Sequence, residues 1–265
     1  MDMKLQASYY QQFDADLSLD VPAEGYGGWQ RSEIEISREH TAVVVMHAWE
    51  FGTPQDFPGW HRCVEFIPRA QRICREVLPR ILAAARRAKF RIFHVAGGGD
   101  YYKKYPGYRF TESIADPEPP MDFVVSDPVL QRLHRFRGER VFVGRHNEED
   151  VARGFAKVDF PAGTRPLDQE PIAATSRQLF ALCRREGVNH LIYTGFAIDG
   201  CVLISPCGMV DMCRHGVMCS TIRQAVTAIE NKETARRELA KQIALWRVGL
   251  LYGFVFDVDD FIAAM

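Results

Sequence analysis

Ala42-Val43-Val44-Val45-Met46 is an unbroken apolar run dominated by β-branched residues. A short run with no alternating polar residue suits a strand covered on both faces. Arg91-Ile92-Phe93-His94-Val95, Arg140-Val141-Phe142-Val143, His190-Leu191-Ile192-Tyr193-Thr194, Val217 to Thr221 and Phe254-Val255-Phe256 read as further strands. Helical patterns lie between them. In 66–88, Leu78, Ile81, Leu82 and Ala85 form an apolar stripe, Arg69, Arg72, Arg80 and Arg87 keep the other faces wet, and Pro79 predicts a kink. Helices are also predicted near 171–186 and over 201–215 and 232–247. Strands alternating with helices predict a mostly parallel sheet with helices on both faces. The fold class is three-layer α/β/α, Rossmann-like, in a single domain over 41–265. Residues 1–40, with the run Glu24-Gly25-Tyr26-Gly27-Gly28, read as an irregular polar N-terminal arm. Residues 97–138 read as a lid or insertion near the carboxyl edge of the sheet.

Charge and composition remove several functions. Lys and Arg total 33 against 34 Asp and Glu, a formal net charge of −1. Such a chain has no global field to hold nucleic acid or an anionic membrane. At 47% apolar residues it is too hydrophobic for disorder. No apolar run approaches the ~18–20 residues that span a bilayer. The polar, acidic start lacks the pattern of a secretory signal. With no signal, the odd count of 7 cysteines predicts a reducing, cytoplasmic setting and free thiols. No CxxC pair occurs, and Gly97-Gly98-Gly99 lack phosphate-loop spacing. No metal or cofactor is therefore expected, and a small molecule is the expected partner.

In such a sheet, ligands sit beyond the carboxyl ends of the strands. His47 follows the first predicted strand of the domain, and Gly195-Phe196-Ala197-Ile198-Asp199-Gly200-Cys201 follows the fourth. A cysteine in the first turn of a helix faces unpaired backbone N–H groups, which favour a thiolate and can receive an oxyanion. It can equally be a small buried residue packing a helix on a sheet. His94, inside a strand, reads as a core histidine. Tyr101, Tyr102, Tyr105 and Tyr108, interleaved with Lys103, Lys104 and Arg109, suit either a binding lid or an oligomer contact.

The run Leu191-Ile192-Tyr193-Thr194-Gly195-Phe196-Ala197-Ile198-Asp199-Gly200-Cys201-Val202 resembles the isochorismatase-like cysteine hydrolases, whose signature is an apolar strand, a Gly, a short loop, then Cys-Val opening a helix. The resemblance covers roughly 41–261 and is weak at 97–170. It implies hydrolysis of a small-molecule C–N bond, amide or carbamoyl, by a Cys–Asp–Lys triad, in a protein that forms homo-oligomers. Cys201 matches the nucleophile, and Ala197 and Ile198 match a cis peptide beside an oxyanion hole built from the N–H groups of Ile198 and Cys201. Lys157 matches the lysine by chain order, with Arg145 as the alternative cation. Trp49, Tyr101 and Tyr105 are candidate substrate contacts. The family's Asp is His47 here, and its loop Thr is Ile198. His47 is then a base for Cys201, a mark of lost chemistry in a ligand-binding or oligomeric relative, or a structural histidine.

Overall fold

The computed structural model describes residues 2–265. The strands are β1 (Asp2–Gln11), β2 (Gly28–Ser37), β3 (Thr41–Met46), β4 (Arg91–Val95), β5 (Ile172–Ala173), β6 (His190–Phe196), β7 (Met218–Thr227) and β8 (Val255–Phe256). They form one sheet in the order β2-β1-β8-β7-β6-β3-β4-β5. β3 to β8 are mutually parallel, and β1 is antiparallel to both β2 and β8. The helices are α1 (Pro58–Cys63), α2 (Ile67–Glu76), α3 (Leu78–Arg87), α4 (Pro106–Ile114), α5 (Pro128–Arg140), α6 (Glu148–Phe155), α7 (Ser176–Glu186), α8 (Cys201–Ile204), α9 (Met209–Arg214), α10 (Leu239–Arg247) and α11 (Val258–Ala264). No helix among the described residues is long and apolar enough to cross a membrane.

The two-residue period of a strand explains the three layers. Val43 and Val45 face one way, with Ile92 and Ile192, into a core that includes residues of α2, α3 and α11. Ala42, Val44 and Met46 face the other way, with Phe93, Leu191 and Tyr193, against residues of α7, α9 and α10. Every residue of Ala42–Met46 is at most 1% exposed, so the run has no wet face to mark with a polar residue. Burying each valine contributes about 1.5–3 kcal/mol. The apolar run expected to be a doubly covered strand is one.

Five expectations about local structure change. Residues 1–40 are not irregular: β1 and β2 form a hairpin that extends the sheet past β8. Met3, Leu5 and Ala7 are buried while Asp2 and Lys4 are exposed. This alternation belongs to a half-wet antiparallel strand, and its average polarity hid it. Arg140 to Val143 is not a strand. Arg140 ends α5, and Val141 and Phe142 are each 59% exposed with no neighbouring strand. The sheet edge is instead the two-residue β5, which pairs with His94 and Val95. The helix expected from 171 begins only at Ser176, where the Thr175 hydroxyl accepts the Gln178 N–H and caps it. The helix expected over 201–215 is two short pieces, α8 and α9. The stretch 66–88 also divides, at Val77, with Pro79 in the first turn of α3, where its missing N–H costs nothing.

Candidate active site

The strand order places the site. From β3 the chain adds β4 and β5 on one side, then crosses back and lays β6 on the other. The direction of winding therefore reverses between β3 and β6. That is where a doubly wound sheet opens a crevice beyond its strand ends. β3 delivers His47 to this crevice, and β6 delivers the loop leading to Cys201. The strands are in parallel register, with Met46 beside Gly195. The approach is close enough to require glycine: a Cβ on Gly195 would lie 1.9 Å from the Met46 carbonyl oxygen, and its φ is +104°.

His47 leaves β3 in the left-handed region, at φ +49°, held by its N–H donating to the Val95 carbonyl at 3.0 Å. Its ring stacks on Trp49, with centroids 5.0 Å apart and planes 18° apart. A side chain on Gly97 would meet its Nε2 at 2.8 Å, so the bare glycine leaves the ring its place. The ring's Nδ1 is buried and has no hydrogen-bond partner. Burial lowers its pKa to about 4, so the imidazole is neutral at pH 7.

Cys201 opens α8 and is half-buried. Its loop is pinned from the opposite side. The Ile198 N–H donates to the Thr227 carbonyl at 2.9 Å, and the Ile229 N–H donates to the Asp199 carboxylate at 2.8 Å. Burial raises the pKa of Asp199, against the hydrogen bond from Ile229. Two expectations shift here. The cis peptide is Phe196–Ala197, one residue before the expected Ala197–Ile198. Ile198 cannot offer its N–H to an oxyanion, because Thr227 already holds it. The Cys201 N–H makes no hydrogen bond among the described residues and stays available.

The remaining expected residues divide between near and far. Trp49 donates from its indole nitrogen to the Tyr101 hydroxyl at 3.0 Å, so both are half-buried beside His47. Burial pushes the Tyr101 hydroxyl pKa well up. Tyr105 instead donates to the Asp159 carboxylate at 3.0 Å and packs on Phe160. Lys157 is exposed, with its ammonium 5.7 Å from the centre of the Phe57 ring. Arg145 is exposed too. Among the described residues no hydrogen bond or ion pair joins Cys201 to His47, Lys157 or Arg145. None places three or more His, Cys, Asp or Glu side chains together to hold a metal ion.

Arg69 was read as wetting a helix face, yet it reaches the support of the cysteine loop. It donates to the Thr227 hydroxyl at 2.9 Å, to Glu65 at 2.8 Å and to the Ala228 carbonyl at 3.2 Å. Glu65 also accepts the Glu230 N–H, and Glu230, only 5% exposed, accepts the N–H groups of Ala240 and Lys241 at the start of α10. The sequence carried one sign of this network, the Glu65–Arg69 pair four residues apart across the start of α2.

No family model and no curated protein matches the chain. Solved structures do match. A cysteine hydrolase from Pseudomonas syringae pv. phaseolicola is 14% identical, covers 86% of this chain and 93% of its own, and has a TM-score of 0.48. An isochorismatase-like hydrolase from Alkaliphilus metalliredigens is 14% identical over 84% of this chain and 97% of its own, with a TM-score of 0.47. A nicotinamidase from Staphylococcus aureus is 12% identical over 83% and 99%, with a TM-score of 0.38. The structural neighbours of this chain include isochorismatase-family cysteine hydrolases and nicotinamidases, at low sequence identity.

Proposed function

We propose that the chain is a cysteine hydrolase of the isochorismatase kind that cleaves a small-molecule C–N bond, amide or carbamoyl. The observation that supports this is that β3 and β6, which lead into His47 and the Cys201 loop, lie side by side at the reversal of strand order. Cys201 sulfur attacks the carbonyl carbon, and its proton passes to neutral His47. The free Cys201 N–H faces the developing oxyanion. The C–N bond breaks as His47 returns the proton to the leaving nitrogen. Water, deprotonated by the same imidazole, then hydrolyses the thioester and restores the thiol. Trp49 and Tyr101 wall the crevice, and Lys157 or Arg145 supplies a cation only if the substrate draws it in. We take the same reading to imply a cytoplasmic homo-oligomer with no nucleic-acid partner.

A second reading has a specific observation behind it. His47 makes no hydrogen bond to Cys201, and burial alone accounts for its depressed pKa. A chain that kept the crevice and lost the chemistry would bind its ligand without turnover. One experiment separates the two. A panel of primary amides and N-carbamoyl compounds is assayed with the wild-type protein and with Cys201→Ala, alongside ligand-induced melting shifts. Turnover lost in Cys201→Ala supports the hydrolase. Turnover unchanged in Cys201→Ala refutes Cys201 as nucleophile. Melting shifts without turnover favour the binding protein.

A further inference from the structure

Residues 116–142 stand off the body of the protein, and every one of them is exposed. Their composition does not suit water. Phe123, Val124 and Val125 are 81%, 93% and 91% exposed, in a stretch that forms neither helix nor strand. α5 follows, with no buried residue. At 100° per residue, Val129, Leu133 and Phe136 of α5 share one face, with Arg132 and Arg137 flanking it on either side.

The helix is started by its own sequence. Asp127 accepts the N–H groups of Val129 and Leu130 at 2.6 and 2.9 Å, and Pro128 occupies the first turn. A lone helix of 13 residues is marginal in water, since it falls inside the ~12–15 residue limit for isolated helices. Its apolar face therefore calls for a partner.

Charge identifies that partner. Residues 116–127 carry Asp116, Glu118, Asp122 and Asp127 and no basic residue. α5 carries Arg132, Arg135, Arg137 and Arg140 against Glu139 alone. None of these four arginines joins a salt bridge among the described residues; of the acids, only Glu118 does, with Arg177 at 3.7 Å. The acidic segment makes no salt bridge with its own helix among the described residues, and every residue of both is exposed. The length also fits: drawn out at ~3.3 Å per residue, the stretch would outreach a helix rising ~1.5 Å per residue.

We propose that 116–142 is an exchange arm through which two copies of this chain dimerise, the acidic apolar stretch of each lying along the basic apolar face of α5 of the other. The pairing is two-fold symmetric, so each acidic stretch and each basic face is used once. This deepens the homo-oligomer reading above by naming its surface, and it does not depend on the chemistry at Cys201. If the exposed apolar side chains of an arm bury on the order of 80 Å² each, a copy contributes about 800 Å², the usual share of one partner in a stable interface.

The test uses the full chain and its mass in solution at tens of micromolar. The wild type should run at twice the monomer mass. Reversing the helix (Arg132→Glu, Arg135→Glu, Arg137→Glu) or the stretch (Asp116→Lys, Glu118→Lys, Asp122→Lys) should weaken self-association by ~100-fold or more, since like charges then face each other. Circular dichroism should stay native, because all six residues are exposed. Mixing the two variants should restore a dimer of mixed mass, because only in that pair does every acidic segment meet a basic one. A monomeric wild type overturns the proposal, including one that binds anionic phosphatidylserine vesicles instead. So do reversal variants that stay dimeric, or two monomeric variants that fail to pair on mixing. Turnover with wild-type protein, measured separately, decides the hydrolase reading independently of each of these outcomes.

Discussion

Gly195→Ala should be among the most damaging single-methyl changes in this protein. Two costs combine. The residue sits at φ +104°, a region almost reserved for glycine, and holding alanine there costs about 1–3 kcal/mol. The added Cβ would also lie 1.9 Å from the Met46 oxygen and 2.8 Å from its carbonyl carbon. Real contacts of this kind essentially never fall below 3.0 Å, so β3 and β6 must separate locally by about an ångström. Both are central strands, each flanked by a parallel neighbour on either side. Separation weakens ladder hydrogen bonds worth about 1 kcal/mol each, with no room to recover them. The sum is about 4 kcal/mol, or about 8–16 °C in melting temperature at this size. Gly216→Ala is the control. Gly216 also has a positive φ, +79°, but a Cβ there meets nothing within 4 Å, so it should cost only about 1–2 kcal/mol. Urea unfolding of both variants separates conformational cost from collision. Equal shifts of the two midpoints, or a change below about 1 kcal/mol for Gly195→Ala, would refute the close approach of β3 and β6.

Glu170 holds Arg86 through two hydrogen bonds, at 2.7 and 2.9 Å, and accepts from fully buried His94 at 2.9 Å. Burial alone would raise its pKa, but these donors outweigh it and hold the carboxyl at about 2. Glu170→Ala strands both partners and should cost about 2–3 kcal/mol in thermal or urea unfolding, discounted for its partial exposure; an unchanged midpoint would contradict the pairing. His47 and His190 both have folded pKa values near 4, against 6.5 for a free imidazole, because burial disfavours the cation. Their contribution is complete above pH 6.5 and is lost as pH falls toward 4, when only the unfolded chain takes up their protons. The slope is at most ~1.4 kcal/mol per pH unit per histidine, and stability that stays flat between pH 7 and 5 would count against both burials. If His47 is the base, kcat/KM on an amide substrate should hold through pH 6 and decline only toward pH 4; an acid limb near 6.5 would mean a solvated or differently placed histidine.

Legibility in the sequence followed burial. Strands covered on both faces spell themselves out as continuous apolar runs, and β3, β4, β6, β7 and β8 were found that way. The hairpin of β1 and β2 was lost because its period-two alternation averages to polar over a long window. β5 is two residues long, too short to carry a period. Arg140 to Val143 failed for the opposite reason: a short apolar run marks apolar side chains, not what covers them. Here Val141 and Phe142 lie open to solvent beside the exposed helix, where an uncovered apolar surface is itself the finding.

The site was legible residue by residue and illegible as a set. That His47 and Cys201 each follow a strand can be read from hydrophobicity. That those two strands are neighbours cannot, because the chain passes through β4, β5 and the helices α1 to α7 between leaving β3 and laying β6 beside it. Once the adjacency is known, separate oddities acquire one cause. Gly195 lacks a side chain because Met46 lies against it, and the same contact sets side by side the strand ends that lead into His47 and the cysteine loop. Arg69 illustrates the converse. Spacing alone assigned it to a wet helix face, yet the loop after β7 passes within its reach, and the arginine spends its donors on Thr227 and Ala228. The geometry of the candidate site depends on contacts between strand ends that are distant in sequence. A substitution that moves β3 from β6 should therefore disturb the site and the stability together, whereas one in the exposed arm should change neither within a single chain.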